Sequence, residues 1–252
     1  MDNEIRFIRP VRSPVRVPVF TSMRTGGVSE GPYASLNTAY HVGDNEAHVA
    51  ENRTRLFDAI GMPLARAVFL DQTHSASCVI ADESHAGRGV RAHADAIPAT
   101  DAVITKCTGI PLVIQTADCL PVVIADTEKG VIAAVHCGWK GIAGGILQNT
   151  VSAMRTAFGC RSADMHVFCS AAIGAACYEV GTEVASFFRC VTNVDGKLFL
   201  DIKSEAVSIL MTLGVTESTI EVAPENTFTD AGLFSYRRDK ICGRMATIVM
   251  IR

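Results

Sequence analysis

The chain lacks several things, and each absence removes a class of protein. Its 252 residues contain no apolar run near the roughly 20 needed for a membrane-spanning helix. Residues 1–12 are charged and carry no apolar core, so no secretory signal is expected. The nine cysteines, an odd count, include no CxxC pair. That usage fits reduced thiols in a cytoplasmic setting better than a disulfide framework. A basic excess is also missing, since the net charge is −3. Neither nucleic acid nor an anionic membrane is therefore expected as a partner. With no internal repeat and no Gly/Ser linker, residues 1–252 are expected to form one domain.

What is present is a large apolar fraction. Hydrophobic residues make up 48% and charged residues 19%, which is enough to bury a sizeable core. The most informative stretch is TADCLPVVIADTEKGVIAAVHCGWKG, residues 116–141. Apolar runs at 120–125 and 131–135 flank a turn-forming segment and read as two buried strands joined by a hairpin-like loop. Cys119 then stands at the start of the first strand and His136 at the end of the second, so an antiparallel pairing sets them side by side. A thiolate beside an imidazole supports two chemistries. One is a cysteine nucleophile with its base. The other is a zinc site that gains a third ligand and leaves one position open. With nine Cys and seven His in the chain, a chance pair of neighbours is the competing explanation.

The remaining pattern is mixed. Strands are expected at residues 15–21, 67–70, 78–81, 101–105, 112–115, 165–169, 219–222 and 246–251, with Pro18 marking the first as an edge. A helix should run from Asp44 or Asn45 to Ile60 with Gly61 beyond its end, and further helices at 138–158, 179–188 and 202–213. Gly141, Gly144 and Gly145 fall in the first turns of the 138–158 helix, whose N-terminus follows His136 and favours anions. His74 falls between two strands, where a lone His is by default a surface residue. Two long polar loops stand out, at 21–44 and 224–244. In the first, Arg24 beside Gly26 and Gly27 offers a guanidinium and bare backbone N–H groups to an anion, although a plain surface loop explains the spacing more simply. The second carries Arg237 and Arg238, with a bracing role favoured over closure across a site. Residues 82–98, with His85 and His93, read as a mobile connection and not a second metal site. Strands and helices without a strict βαβ rhythm argue α+β.

Several segments resemble one known family over nearly the whole chain: TSMRTGGVSEGPYASLN, HVGD, DQTHSA, TADCLPVVIAD, AAVHCGWKGIAGGIL, CYEVG and FSYRRD with a later GR. It is the laccase-domain, or multicopper polyphenol-oxidase, family, whose members are now viewed as zinc-dependent purine nucleoside phosphorylases with adenosine deaminase activity. The resemblance implies a layered α/β/β/α sandwich with mixed sheets, shared with the YfiH-like group of cysteine hydrolases. It implies His74, Cys119 and His136 as catalytic metal ligands, zinc as the metal and copper as a substitute. Zinc so held lowers the pKa of water toward about 7, the chemistry used to deaminate adenine at C6. It implies small-molecule substrates: phosphate with adenosine, inosine, guanosine or 5′-methylthioadenosine. Arg24, Asn37 and Lys140 are the residues assigned to binding them. Two departures bear on this. Ala171, Ala172, Ala175 and Ala176 stand near CYEVG where the family carries Gly-Pro pairs. Lys140 replaces the usual Arg after the Trp and gives up its bidentate grip on phosphate.

Three other readings remain. A Cys119–His136 amidohydrolase editing cell-wall peptide precursors needs no metal. A copper-dependent oxidase of phenols needs many more His ligands than seven scattered residues supply. A metal-stabilised binding module would not need an open, polar, loop-rimmed site. The preferred nucleoside and the oligomeric state are not legible in the sequence.

Overall fold

The computed structural model describes residues 4–12 and 17–252. Residues 15 and 16 of the first expected strand, and residues 1–3, 13 and 14 of the leader, lie outside them.

Three buried clusters define four layers. The central layer is a six-stranded mixed sheet in the order β12-β8-β6-β7-β4-β3. Its strands are β3 (Cys78–Ile80), β4 (Ala102–Thr105), β6 (Leu120–Asp126), β7 (Val131–Cys137), β8 (Met165–Cys169) and β12 (Ile220–Val222). Both faces are covered, which is why β6 and β7 are apolar at nearly every position. Val123, Ala125, Ile132 and Ala134 pack toward a four-stranded antiparallel sheet. That sheet has the order β1-β2-β13-β5, from β1 (Phe7–Ile8), β2 (Val19–Ser22), β5 (Leu112–Thr116) and β13 (Met245–Val249). On the opposite face Val122, Ile124, Ala133 and Val135 meet α3 (Ile146–Phe158) and α5 (Ile202–Thr212). The outer face of the four-stranded sheet is covered by α1 (Glu46–Ile60) through Leu56, Phe57 and Ile60. This is the expected α/β/β/α sandwich.

Local signals explain several boundaries. Asn45 caps α1 by accepting from the Ala47 N–H, and Gly61 closes it at φ 62°. Burying Leu56 and Phe57 against the sheet stabilises the docking by about 1.5–3 kcal/mol per side chain. The β6–β7 hairpin pairs antiparallel as expected, with Pro121 opposite His136 and Leu120 opposite Cys137.

Other expectations change. The 138–158 helix is two pieces, α2 (Trp139–Ala143) and α3, because Gly145 takes φ 89° and a left-handed residue cannot continue a right-handed helix. The dipole of a five-residue helix is too short to make the anion site expected after His136. Residues 67–70 make only isolated bridges, Val68 to Leu112 and Leu70 to Ile97, on two different partners. The 179–188 helix shrinks to α4 (Thr182–Ala185), because Glu179–Val180 forms β9 and pairs with β11 (Lys197–Leu200). A hairpin of β10 (Val191–Val194) with β11 was not expected, yet its signal is present: Asp195 and Gly196 both take positive φ, 50° and 82°, as a type I′ turn requires. Residues 82–98 are tied down. Arg88 donates to the Asp95 and Ala96 carbonyls, and Arg53 reaches Gly89 and Val90.

Candidate metal centre and cleft

Cys119 and His136 meet at the rim of the central sheet because the hairpin register puts strand start beside strand end. His74 arrives from a turn at the same rim. Its Nε2 lies 3.7 Å from Cys119 Sγ, and its ring centroid lies 4.8 Å from that of His136. The three ligand atoms all fall within 4.8 Å of one another. Zinc bonded at about 2.0–2.3 Å spans such a triangle after a small contraction.

Asp101 organises this triangle. It is fully buried, at the edge of β4 next to β7. Its Oδ1 accepts from the backbone N–H of His74 at 3.0 Å and lies 2.7 Å from His136 Nδ1. Its Oδ2 accepts from the N–H and the hydroxyl of Ser75, both at 2.7 Å, and from the Thr73 N–H at 3.2 Å. Its carbonyl accepts from the His136 N–H at 2.7 Å. One side chain therefore holds the turn that carries His74 at φ 61°, a left-handed conformation costing about 1–3 kcal/mol for such a residue. The same carboxylate takes the Nδ1–H of His136 and leaves Nε2 as the ligand atom, the usual arrangement behind a metal-bound imidazole.

The electrostatics of the metal-free protein favour a Cys119 thiolate beside a protonated His136, whose Nε2 proton a bound metal would displace. Burial pushes the Cys119 thiol up, but His136 and His74 outweigh it and bring it from 9.0 to about 6. Burial pushes His136 down, while Cys119 and Asp101 outweigh that and raise it from 6.5 to about 9. Asp101 is drawn down to about 2: its burial opposes this, but hydrogen bonds from His136 and Ser75 prevail. A thiolate and two imidazoles so placed could hold a metal ion, and this donor set suits zinc and copper alike. Gly138 makes room for it. A Cβ there would sit 2.7 Å from His74 Cδ2 and 3.2 Å from Cys119 Sγ.

The three side chains lie in the wall of a cleft of about 420 Å³. Trp139, Tyr178 and Tyr236 supply aromatic surface to it, and Arg237 and Arg244 supply cations. Arg24, Asn37 and Lys140 are not among its lining residues. Arg24 stacks on Phe234, with its guanidinium carbon 4.7 Å from the ring centroid, and donates through Nε to the Ala34 carbonyl. Asn37 is fully buried and spends its amide on Ala39, Asp44 and the Arg244 N–H. Lys140 is exposed, with Nζ 5.6 Å from the Trp139 ring. The consecutive arginines divide. Arg238 braces the 224–244 loop by donating to the carbonyls of Thr227, Phe228, Asp230 and Leu233. Arg237 lines the cleft beside Tyr178. Asp101 and Arg244 were not singled out from the sequence. Asp101 carries no local signal, and Arg244 shows only in the late GR segment.

Comparison with known proteins places the chain among relatives of similar length. Residues 18–252 match the family described as multi-copper polyphenol oxidoreductase laccase. A purine nucleoside phosphorylase of Corynebacterium glutamicum is 38% identical over 248 residues, covering 96% of each chain. One of Haemophilus influenzae is 34% identical, covering 94% of this chain and 95% of that one. Among solved structures, YlmD from Geobacillus stearothermophilus superposes with a TM-score of 0.93 at 31% identity, covering 98% of each chain. The hypothetical protein YfiH of Bacillus licheniformis gives 0.91 at 30% identity, covering 94% of this chain and 93% of that one. Among the described residues no helix is long and apolar enough to cross a membrane.

Proposed function

This chain belongs to the multi-copper polyphenol oxidoreductase laccase family, and from that premise we propose that it is a purine nucleoside phosphorylase whose single catalytic domain holds a metal on His74, Cys119 and His136. The observation that carries this reading is the position of those three ligands in the wall of a nucleoside-sized cleft, in a chain aligned almost end to end with proteins of that name. Zinc is the proposed metal, with copper as a substitute. When bound, it supplies Lewis acidity and a lowered pKa for water at its open position.

The protein's own groups do the rest. Asp101 fixes His136 in the tautomer with Nε2 free and fixes the turn that presents His74. Trp139, Tyr178 and Tyr236 give the flat purine apolar surface to lie against. Phosphorolysis forms a bond from a phosphate oxygen to C1′ and breaks C1′–N9. The base leaves with that electron pair and takes up a proton. Deamination of adenosine is the second proposed activity of the same centre. A copper oxidase of phenols is disfavoured, because a trinuclear copper centre needs many more histidines. Among the described residues a single group of three or more close ligands is present.

One observation favours a second reading. The low pKa of Cys119 beside His136 suits a metal-independent amidohydrolase. Mass-spectrometric product analysis of zinc-loaded protein with adenosine or inosine, with and without phosphate, separates the two. Free base and ribose 1-phosphate appearing only with phosphate, and lost with a chelator, are expected. Turnover of an amide substrate by chelated protein, with no nucleoside product from the zinc form, sinks the phosphorylase.

A further inference from the structure

We propose that Arg237, Arg244 and the hydroxyl of Thr116 form the subsite that holds the orthophosphate nucleophile, a proposal that rests on the phosphorylase reading of this cleft. All three line it. Two features mark them as a built anion site. First, the guanidinium groups are anchored but not neutralised. Arg244 donates through Nη1 to the carbonyls of Cys242 at 2.8 Å and Gly243 at 3.0 Å. Arg237 donates through Nη1 to the Glu179 carbonyl at 2.8 Å, with its guanidinium carbon 5.2 Å from the Tyr178 ring centroid. Among the described residues neither forms an ion pair, whereas adjacent Arg238 is paired with Asp239 at 2.9 Å. Asp118, the carboxylate on the same cleft wall, is already engaged: it accepts from the Thr227 hydroxyl and the Arg237 backbone N–H, both at 2.6 Å. The outer N–H groups of each guanidinium stay available for a fork-like grip on an anion.

Second, Thr116 is 2% exposed and its hydroxyl has no hydrogen-bond partner. A buried hydroxyl in that condition is costly unless a ligand satisfies it. Its place is determined by the sheet: Thr116 pairs with Met245, the residue after Arg244, so the orphan hydroxyl and the Arg244 backbone leave the four-stranded sheet at the same end. His41, also in the wall, has its pKa held down to about 4 by burial and then by Arg244, so it is uncharged at neutral pH. This subsite differs from the one expected from Arg24 and the helix after His136, and Arg24 is not among the residues that line the cleft.

Titration calorimetry of orthophosphate into the zinc-loaded full chain tests the proposal, with inosine titrated separately. Arg244→Gln and Arg237→Gln should each weaken phosphate binding roughly 10- to 100-fold, the loss of a charge-assisted contact, with inosine affinity and zinc content unchanged. Arg244→Lys should recover part of the loss, and Thr116→Val should weaken phosphate several-fold. The last two carry the test should a Gln variant not fold. Arg24→Gln and Lys140→Gln should bind phosphate like the parent protein. Unchanged phosphate binding in the Arg237, Arg244 and Thr116 variants, or loss of it in Arg24→Gln, overturns the subsite. So does tighter binding of adenosine 5′-monophosphate than of adenosine with phosphate present, which assigns the dianion to a nucleotide. Phosphate bound as expected without any nucleoside cleavage would leave the subsite standing and remove the phosphorylase reading instead.

Discussion

Asp101 Oδ1 and His136 Nδ1 lie 2.7 Å apart in a fully buried contact, and the same carboxylate carries the turn of His74. Two of three candidate ligands therefore depend on one side chain that touches no metal position itself. Asp101→Asn keeps the shape but loses the charge and turns a donor toward donors. Zinc affinity, measured by competition with a chelator, should fall roughly 10- to 100-fold. Unchanged affinity would reduce Asp101 to a packing role.

Its pKa has a consequence for acid stability. The folded value of about 2 lies below the ordinary 3.8, so the carboxylate's contribution is complete above 3.8 and is lost as pH falls toward 2. Thermal unfolding of Asp101→Asn should therefore be less sensitive to pH across that window than that of the parent protein. Parallel curves would contradict the assignment.

Cys119 should react as a thiolate in metal-free protein. Its pKa of about 6, against 9.0 for an ordinary thiol, means alkylation by iodoacetamide rises through pH 6 and is already near its plateau at pH 8. Zinc should protect it. Peptide mass spectrometry resolves Cys119 from the eight other cysteines, several of which burial pushes well up. A midpoint near 9 would argue against the contacts with His136 and His74.

Gly138→Ala should empty the metal centre and spare the fold. The backbone there, φ −76°, accepts any residue, but the new methyl meets His74 and Cys119. Elemental analysis should find zinc strongly reduced, while the circular dichroism spectrum is preserved. Full zinc occupancy would mean the ligands shift freely.

Arg238→Ala should damage stability and leave the zinc site intact. It removes donors to four loop carbonyls at once, with an expected cost of about 2–4 kcal/mol in denaturant unfolding. Arg237→Gln, by contrast, should change stability little. Equal losses from the two would erase the division between brace and cleft wall.

Much of the central hairpin was legible beforehand. Two β-branched runs around a five-residue turn leave few registers, and the one formed, with Pro121 opposite His136, sets Cys119 beside it. The cap at Asn45 and the stop at Gly61 were equally readable, because both act on neighbouring backbone. The break at Gly145 was not. Glycine permits both helical and left-handed φ, and packing chose between them. The Asp195-Gly196 turn carries its signal in two adjacent residues, both at positive φ.

By itself the sequence determined a mixed α+β chain through its apolar strand and helix patterns, and the meeting of a cysteine and a histidine at one sheet rim. Those follow from periodicity and short connections, which are local. Only the tertiary structure decided that Asp101 joins His136 to His74, that Arg237 lines the cleft while Arg238 braces a loop, and that Arg24 lies against Phe234. The contact between Asp101 and His136 spans 35 positions and exists because β4 docks on β7. An arginine's direction is chosen by which carbonyls and rings pack around it, and no pattern in nearby residues records that choice.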